Sequence, residues 1–363
     1  MKRLILTTLA CLAALSLAAQ HVTPQVGVLF EGRFVNDEFD ASGQSLMASG
    51  TLGAARLFPY VGIRFAKDHG LYAGLDVVQD FGVGAVKPIT EFAVWYELQK
   101  EHFALYAGLA PYAKLKGTYS SAIWSDASAF YDGVLAGFIL QGTYDRSFWE
   151  VGFDWCGKYG DNSREQFSIV SAGDMWFTNW LSLSWEGLFH HFACSVQQKG
   201  VVDDHLIHPF LKWDFSSFTG LQKLELHTGA MIGYQVDRLM ERKSFPVGAD
   251  IVLEAKNWGF GLRNEAYYGG SQAPFYQLAD ETGMVYGDEL YFRSPIWQIT
   301  PDATPGFYDR VDAYWEKGFW EDRVSLGVRL VGHFGQGGFL GWQQLLSATV
   351  KIDKITFKKH NKK

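Results

Sequence analysis

Past its first two dozen residues the chain is written in period two, and the joints between its alternating segments are sorted by length. Successive side chains of a strand point to opposite faces, so strict alternation marks sheet with one apolar and one wet face. Segments of roughly 10–17 residues run at 24–34, 50–66, 70–82, 88–99, 102–112, 128–144, 147–157 and 165–177. They continue at 180–194, 204–215, 221–236, 246–256, 258–269, 306–317, 321–334 and 340–352. That is about sixteen strands. Weak alternation in 102–112, 128–144 and 165–177 keeps fourteen open.

Every second joint is short and carries turn chemistry: Lys67-Asp68-His69-Gly70, Gln99-Lys100-Glu101, Tyr144-Asp145-Arg146-Ser147, Ser216–Gly220, Lys256-Asn257 and Lys317-Gly318. The others are mostly longer and more polar: Asn36–Ala48, Lys114–Ala127, Lys158–Arg164, Gln197–Asp203 and Gly270–Pro305. Sorting of loop length by side is the signature of an up-and-down antiparallel barrel, with turns at one rim and loops at the other. A soluble sandwich has no reason to produce it.

The faces say what each side of the wall meets. In 321–334, Val324, Leu326, Val328, Leu330 and Phe334 oppose Ser325, Gly327, Arg329 and His333. In 147–157, Trp149, Val151, Phe153 and Trp155 oppose Glu150 and Asp154. Charges opposite an apolar face fit a lipid exterior and a wet interior better than a dry two-sided core. Aromatics gather beside the short turns: Phe65, Phe103, Phe148, Trp149, Trp180, Phe218, Trp258, Phe319 and Trp320. A girdle at a membrane interface has this composition.

The first residues set the compartment. Lys2 and Arg3 precede an uncharged apolar run, Leu4 to Leu17, and Ala18-Ala19-Gln20 supplies small residues for cleavage after Ala19. The run is shorter than the ~20 residues of a spanning helix. A lipoprotein reading through Cys11 is disfavoured, because Cys11 comes too early to leave a full apolar region. Residues 1–19 are therefore expected to be a signal peptide and 20–357 the barrel, with 358–363 a basic periplasmic tail. About five residues separate the expected cut from the first strand, so no N-terminal plug is expected.

Charge removes one class of function. The chain has 32 basic and 39 acidic residues, and loss of Lys2 and Arg3 gives 30 − 39 = −9. A nucleic-acid partner calls for a basic face, so none is expected. Cys156 and Cys194 fall near the outer ends of next-but-one strands. Strands lie ~4.8 Å apart, and a disulfide needs Cα atoms within ~7 Å, so two free thiols are expected.

Export signal, sorted joints and a near-terminal strand at 340–352 together resemble the outer-membrane barrels of Gram-negative bacteria, of the general porin type. The resemblance is architectural and spans the whole mature chain. It implies contact with outer-membrane lipid, passage of small hydrophilic solutes, insertion by the barrel-assembly machinery and, as one arrangement, a homotrimer. Barrels of that type usually end on an aromatic residue. Here Phe357 is followed by Lys358-Lys359-His360-Asn361-Lys362-Lys363, which puts the assembly signal in doubt.

About sixteen strands enclose a water-filled lumen. Its expected lining is Glu31, Arg33, Arg64, Asp76, Glu91, Glu150, Asp154, Glu186, Glu225, His227, Asp250, Glu254, Arg263, Asp312 and Arg329. Carboxylates outnumber bases about two to one on the inward faces, from which a weak cation preference follows. The loop 270–305 is too aromatic for a disordered tether. Its Tyr276, Tyr286, Asp288, Tyr291 and Trp297 are expected to form a lid, a constriction or a binding surface. Two other classes stay in view. A surface receptor would rest on that loop alone. A barrel-embedded hydrolase would rest on Ser184, Glu186 and His190, which share a strand face. No cofactor and no metal site is expected. The histidine pair His190-His191 points to opposite faces of its strand.

Overall fold

The computed structural model describes residues 22–39, 46–82, 88–300 and 304–356. The expected signal peptide and basic tail lie outside the described residues. The strands are β1 Thr23–Phe39, β2 Gly50–Phe65, β3 His69–Asp80, β4 Ile89–Gln99, β5 Phe103–Pro111 and β6 Val134–Tyr144. They continue with β7 Ser147–Gly157, β8 Gln166–Trp176, β9 Leu181–Phe192, β10 Val202–Asp214 and β11 Lys223–Asp237. β12 has two segments, Arg242–Ser244 and Val247–Asn257. β13 Phe260–Gly269, β14 Gly306–Phe319, β15 Val324–Gly335 and β16 Gly338–Thr356 complete the set. Each pairs antiparallel with its sequence neighbours, and β1 pairs with β16, closing a barrel of sixteen strands.

The interruption in β12 has a chemical cause. Gln235 faces Ser244 and Ile232 faces Val247 in one continuous register along β11. Phe245-Pro246 sits between them, and proline has no N–H for the ladder. The break therefore leaves the strand count at sixteen, not fourteen.

Several boundaries differ from the sequence reading, among them the end of β1 at Phe39 and both ends of β16. Residues 126–131 form a short helix, α1 (Asp126–Tyr131), capped where the Ser125 hydroxyl accepts from the Ser128 N–H, so β6 begins only at Val134. The joint placed at Lys317-Gly318 lies at 320–323, because β14 runs on to Phe319 and Trp320, Glu321 and Asp322 take positive φ. Length sorting also fails at two outer joints. Asp237 leads to Arg242 through a tight turn, and Gln336-Gly337 joins β15 to β16. One short turn needs glycine. Asn257 faces Phe260 across Trp258 (φ 53°) and Gly259 (φ 86°), a two-residue hairpin with positive φ at both positions.

The outer surface is apolar. Val328, Leu330, Ile251 and Leu253 are exposed on outward positions, while Asp250 and Asp312 beside them are buried inward. So large an apolar band is stable only against lipid. Trp258, Trp320 and Phe218 stand exposed at the turn-bearing rim, as a girdle requires. Among the described residues no helix is long and apolar enough to cross a membrane; strands form the wall.

The interior is not simply wet. Val170 of β8, Leu188 of β9, Leu206 of β10, Met231 of β11 and Tyr267 of β13 point inward into a buried cluster with Ala122, Ile123 and Trp297. These last three come from two connections, 112–133 and 270–305, that fold into the barrel.

Candidate functional site

The connection 112–133 is fixed to the wall by carboxylates. Glu150 on β7 accepts from the Lys116 and Gly117 N–H groups (2.7 Å each), the Tyr119 hydroxyl (3.0 Å) and the Gln141 amide (2.9 Å). Glu186 on β9 accepts from the Ser120 N–H and hydroxyl, both at 2.6 Å. Asp154 accepts from the Ala136 N–H and the Tyr112 hydroxyl. His208 bridges Glu186 (2.9 Å) and Asp250 (2.8 Å). Buried backbone donors must find acceptors, and these side chains supply them. At the far end of the connection, the Tyr131 hydroxyl donates to Asp80 (2.5 Å) and Phe130 is buried under Arg33.

The connection 270–305 is fixed separately. Arg293 is wholly buried and donates both hydrogen bonds of one Nη to Asp204 on β10, at 2.7 Å each. The Tyr291 hydroxyl donates to Gln235 (2.5 Å) and the Tyr286 hydroxyl to Asp237 (2.7 Å), both on β11. Tyr276 stacks on Tyr291, and Trp297 packs edge-on against Tyr267 and Tyr308 at 5.3 Å. Asp288 lies in the helical turn Gly287–Leu290, and its side chain is outside the described set. The two connections also lock together. The Ser125 N–H donates to the Phe292 carbonyl, the Ser294 N–H to that of Ser121, and the Trp297 indole to the Ser121 hydroxyl.

Against the connection 112–133 lies a cavity of about 1060 Å³. Ten basic and eight acidic side chains line it. On one wall Arg310 (3.0 Å), Arg263 (3.6 Å) and Arg329 (3.8 Å) converge on Asp312, and Arg263 also pairs with Glu265 (2.7 Å). Three guanidiniums face two carboxylates there. Tyr314 and Lys223 close on Glu254. The opposite wall is aromatic, with Phe58, Tyr60, Trp95 and Tyr106.

Of the lining read from sequence, Glu31, Arg33, Asp76, Glu254, Arg263 and Arg329 reach this cavity. Glu31 pairs with Arg33 and Asp76 with Arg56. Glu91 faces Asp76 in register. Arg64 donates to the Lys67 carbonyl at the turn, and Glu225 meets His227 at 3.2 Å. Glu150, Asp154 and Glu186 are spent on holding the connection 112–133, Asp250 is paired with His208, and Asp312 lies under its arginines. The expected carboxylate excess is therefore absent from this cavity. It disappears because inward parity is not lumen exposure: acceptors were recruited to satisfy inserted backbone. The charged residues missed were Lys114, Lys116, Asp126 and Asp132 on that connection, with Lys223, Lys351, Asp353 and Lys354 on the strands. Tyr112, Tyr119 and Trp124 gave the same aromatic signal there as in 270–305.

Ser184, Glu186 and His190 do not converge. Ser184 donates to Asp174, Glu186 holds Ser120, and His190 Nδ1 meets Ser168 at 2.9 Å. Cys156 and Cys194 are both free thiols. Among the described residues no group of three His, Cys, Asp or Glu is placed to hold a metal.

A closed sixteen-strand barrel with an apolar belt, short turns at one rim and connections folded into its lumen defines a porin-type barrel of the outer membrane. One solved structure shares this fold. The chain is similar to a loop-deletion form of OmpT, an outer-membrane protein of Vibrio cholerae, at 8% identity over 91% of this chain and 99% of that one, with a TM-score of 0.53. It also matches OccAB3 of Acinetobacter baumannii (TM-score 0.49) and OccK1 (OpdK) of Pseudomonas aeruginosa (0.45). Both stand at 8% identity, over 92% of this chain and 99% of theirs. No family model and no curated protein matches the sequence.

Proposed function

We propose that the chain is a passive channel for small hydrophilic solutes, constricted jointly by 112–133 and 270–305, with a weak preference for anions. The observation that carries this is the charged cavity lined by the connection 112–133, to which 270–305 is locked. A wall of ten cations and eight anions, with three arginines gathered at one point, attracts anions into the lumen. Ten basic against eight acidic side chains around this cavity favour this reading over the cation preference expected from the inward faces as a whole. Deletion of residues 275–297 is expected to raise single-channel conductance in a planar bilayer, because that segment occupies lumen volume. Unchanged conductance would remove it from the constriction. Ligand binding by a folded barrel that passes no current would instead mark a surface receptor.

The preference should depend on pH through Asp132, which lines the cavity from the connection 112–133. Burial, then the nearby Asp154 and Glu91 carboxylates, push its acid up to about 7 against the pull of Arg56. Asp132 is then mostly charged at pH 8 and mostly neutral at pH 6, so the cationic excess grows by one as pH falls. The same raised value means that Asp132's contribution to stability is full below the ordinary carboxylate range and declines as pH rises through about 7. Reversal potentials in a salt gradient should shift toward anions from pH 8 to pH 6. Asp132→Asn should abolish that shift; a shift that survives the substitution assigns it elsewhere.

A further inference from the structure

One part of the cavity has a chemistry that anion passage does not explain. Inward positions of β2 to β5 place Phe58, Tyr60, Tyr72, Trp95 and Tyr106 in one aromatic cluster. Tyr72 stacks on Trp95 at 5.1 Å, and Tyr60 meets Trp95 edge-on at 5.6 Å. Lys114 reaches this cluster from the inserted connection. Its Nζ lies 5.8 Å from the Tyr60 ring centre and 5.9 Å from those of Trp95 and Tyr106. Ring faces attract a cation within ~6 Å, so three of them make a cage.

Two carboxylates and two further ammoniums share this wall, and Lys354 Nζ itself lies 5.8 Å from the Tyr72 ring centre. At the end of β16 the register against β1 slips by one residue, and Lys354 takes a φ of 49°. This bulge sets both Asp353 and Lys354 on the cavity. Lys354 closes on Glu97 at 2.5 Å, and Asp353 accepts from the Tyr60 hydroxyl. The second Glu97 oxygen makes no hydrogen bond. No ion pair closes on Lys114 among the described residues; rings are its neighbours. Burial holds its ammonium below the ordinary lysine range, with Lys354 and Lys351 adding to that and Asp353 and Glu97 opposing it.

The fit is loose. Two other lysines come closer to a single ring, Lys212 at 5.2 Å over Trp176 and Lys317 at 5.5 Å over Phe319, while Lys256 stands at 5.8 Å from Tyr314. Three near-equal distances at the outer limit describe a cage wider than a primary ammonium fills. A bulkier, weakly hydrated cation would touch all three rings at lower desolvation cost.

We propose that this cage is a binding site for organic ammonium cations, quaternary ones above all, and that Lys114 is its tethered occupant and competitor. The site rests on the lumen reading, since solutes reach it only through the cavity. Its test is independent of conduction. The refolded full chain in detergent micelles is titrated calorimetrically with tetramethylammonium chloride, and with sodium chloride as the control. Lys114→Met should tighten tetramethylammonium binding by about tenfold, the order of one desolvated cation–π contact. Lys114→Gln should do the same. Trp95→Leu or Tyr106→Leu added to Lys114→Met should remove the gain, and sodium should reproduce none of it. Heat-modifiable gel mobility identifies folded variants. No gain in either lysine variant, or an equal response to sodium, overturns the site. A barrel that binds but never conducts would refute the channel and leave the cage standing.

Discussion

Arg293→Ala should release the connection 270–305 and raise single-channel conductance while the barrel stays folded. The Arg293–Asp204 pair is almost wholly excluded from solvent, with side-chain exposures of 0% and 1%. Removing one partner of such a pair leaves an uncompensated buried charge, a cost of about 3–5 kcal/mol. The closed ladder of sixteen strands does not depend on this contact, so the cost falls on docking of the connection. Once undocked, Asp204 regains water and the Ser121–Ser294 and Ser125–Phe292 backbone bonds open with it. The connection 112–133 keeps its own anchors at Glu150 and Glu186. Conductance should therefore rise without reaching that of an empty barrel. The double variant Arg293→Met/Asp204→Leu removes both charges and should recover much of the docking, because a well-packed apolar pair replaces an ion pair at little cost. Native conductance in Arg293→Ala would show that the pair does not latch the connection.

The second large effect concerns selectivity. Arg263→Gln, Arg310→Gln and Arg329→Gln together leave 10 − 3 = 7 basic against eight acidic side chains around the cavity. They also uncover Asp312 and Glu265, which the arginines now neutralise. The reversal potential in a salt gradient should change sign, from anion-favouring to cation-favouring. Heat-modifiable mobility serves as the folding control. A potential that keeps its sign would place the selectivity determinant outside this wall.

Strand number and the lipid face were legible because both are local. Period-two apolar positions such as Val324, Leu326, Val328 and Leu330 face outward whatever lies inside. The weak alternation of 102–112, 128–144 and 165–177 also had a meaning. Tyr106 and Ala110, Leu135 and Ile139, and Val170 and Ala172 are inward residues buried against inserted chain, so their inner faces are apolar too. Mixed polarity there was the trace of connections inside the barrel. The charge of the cavity was not legible. Whether Glu150 faces water or the Lys116 and Gly117 amides depends on where a distant connection folds, and no spacing encodes that. The β16 bulge that turns both Asp353 and Lys354 to the cavity defeats parity in the same way. The β6 start was misplaced for a nearer reason, since the Ser125 cap competes with extension of the strand.

The most direct test of the channel reading is the current carried by the refolded mature chain in a planar bilayer under a potassium chloride gradient. Stepwise, salt-dependent conductance with a reversal potential displaced modestly toward chloride is the expected result. A barrel that shows heat-modifiable mobility, and so is folded, yet passes no current would contradict it.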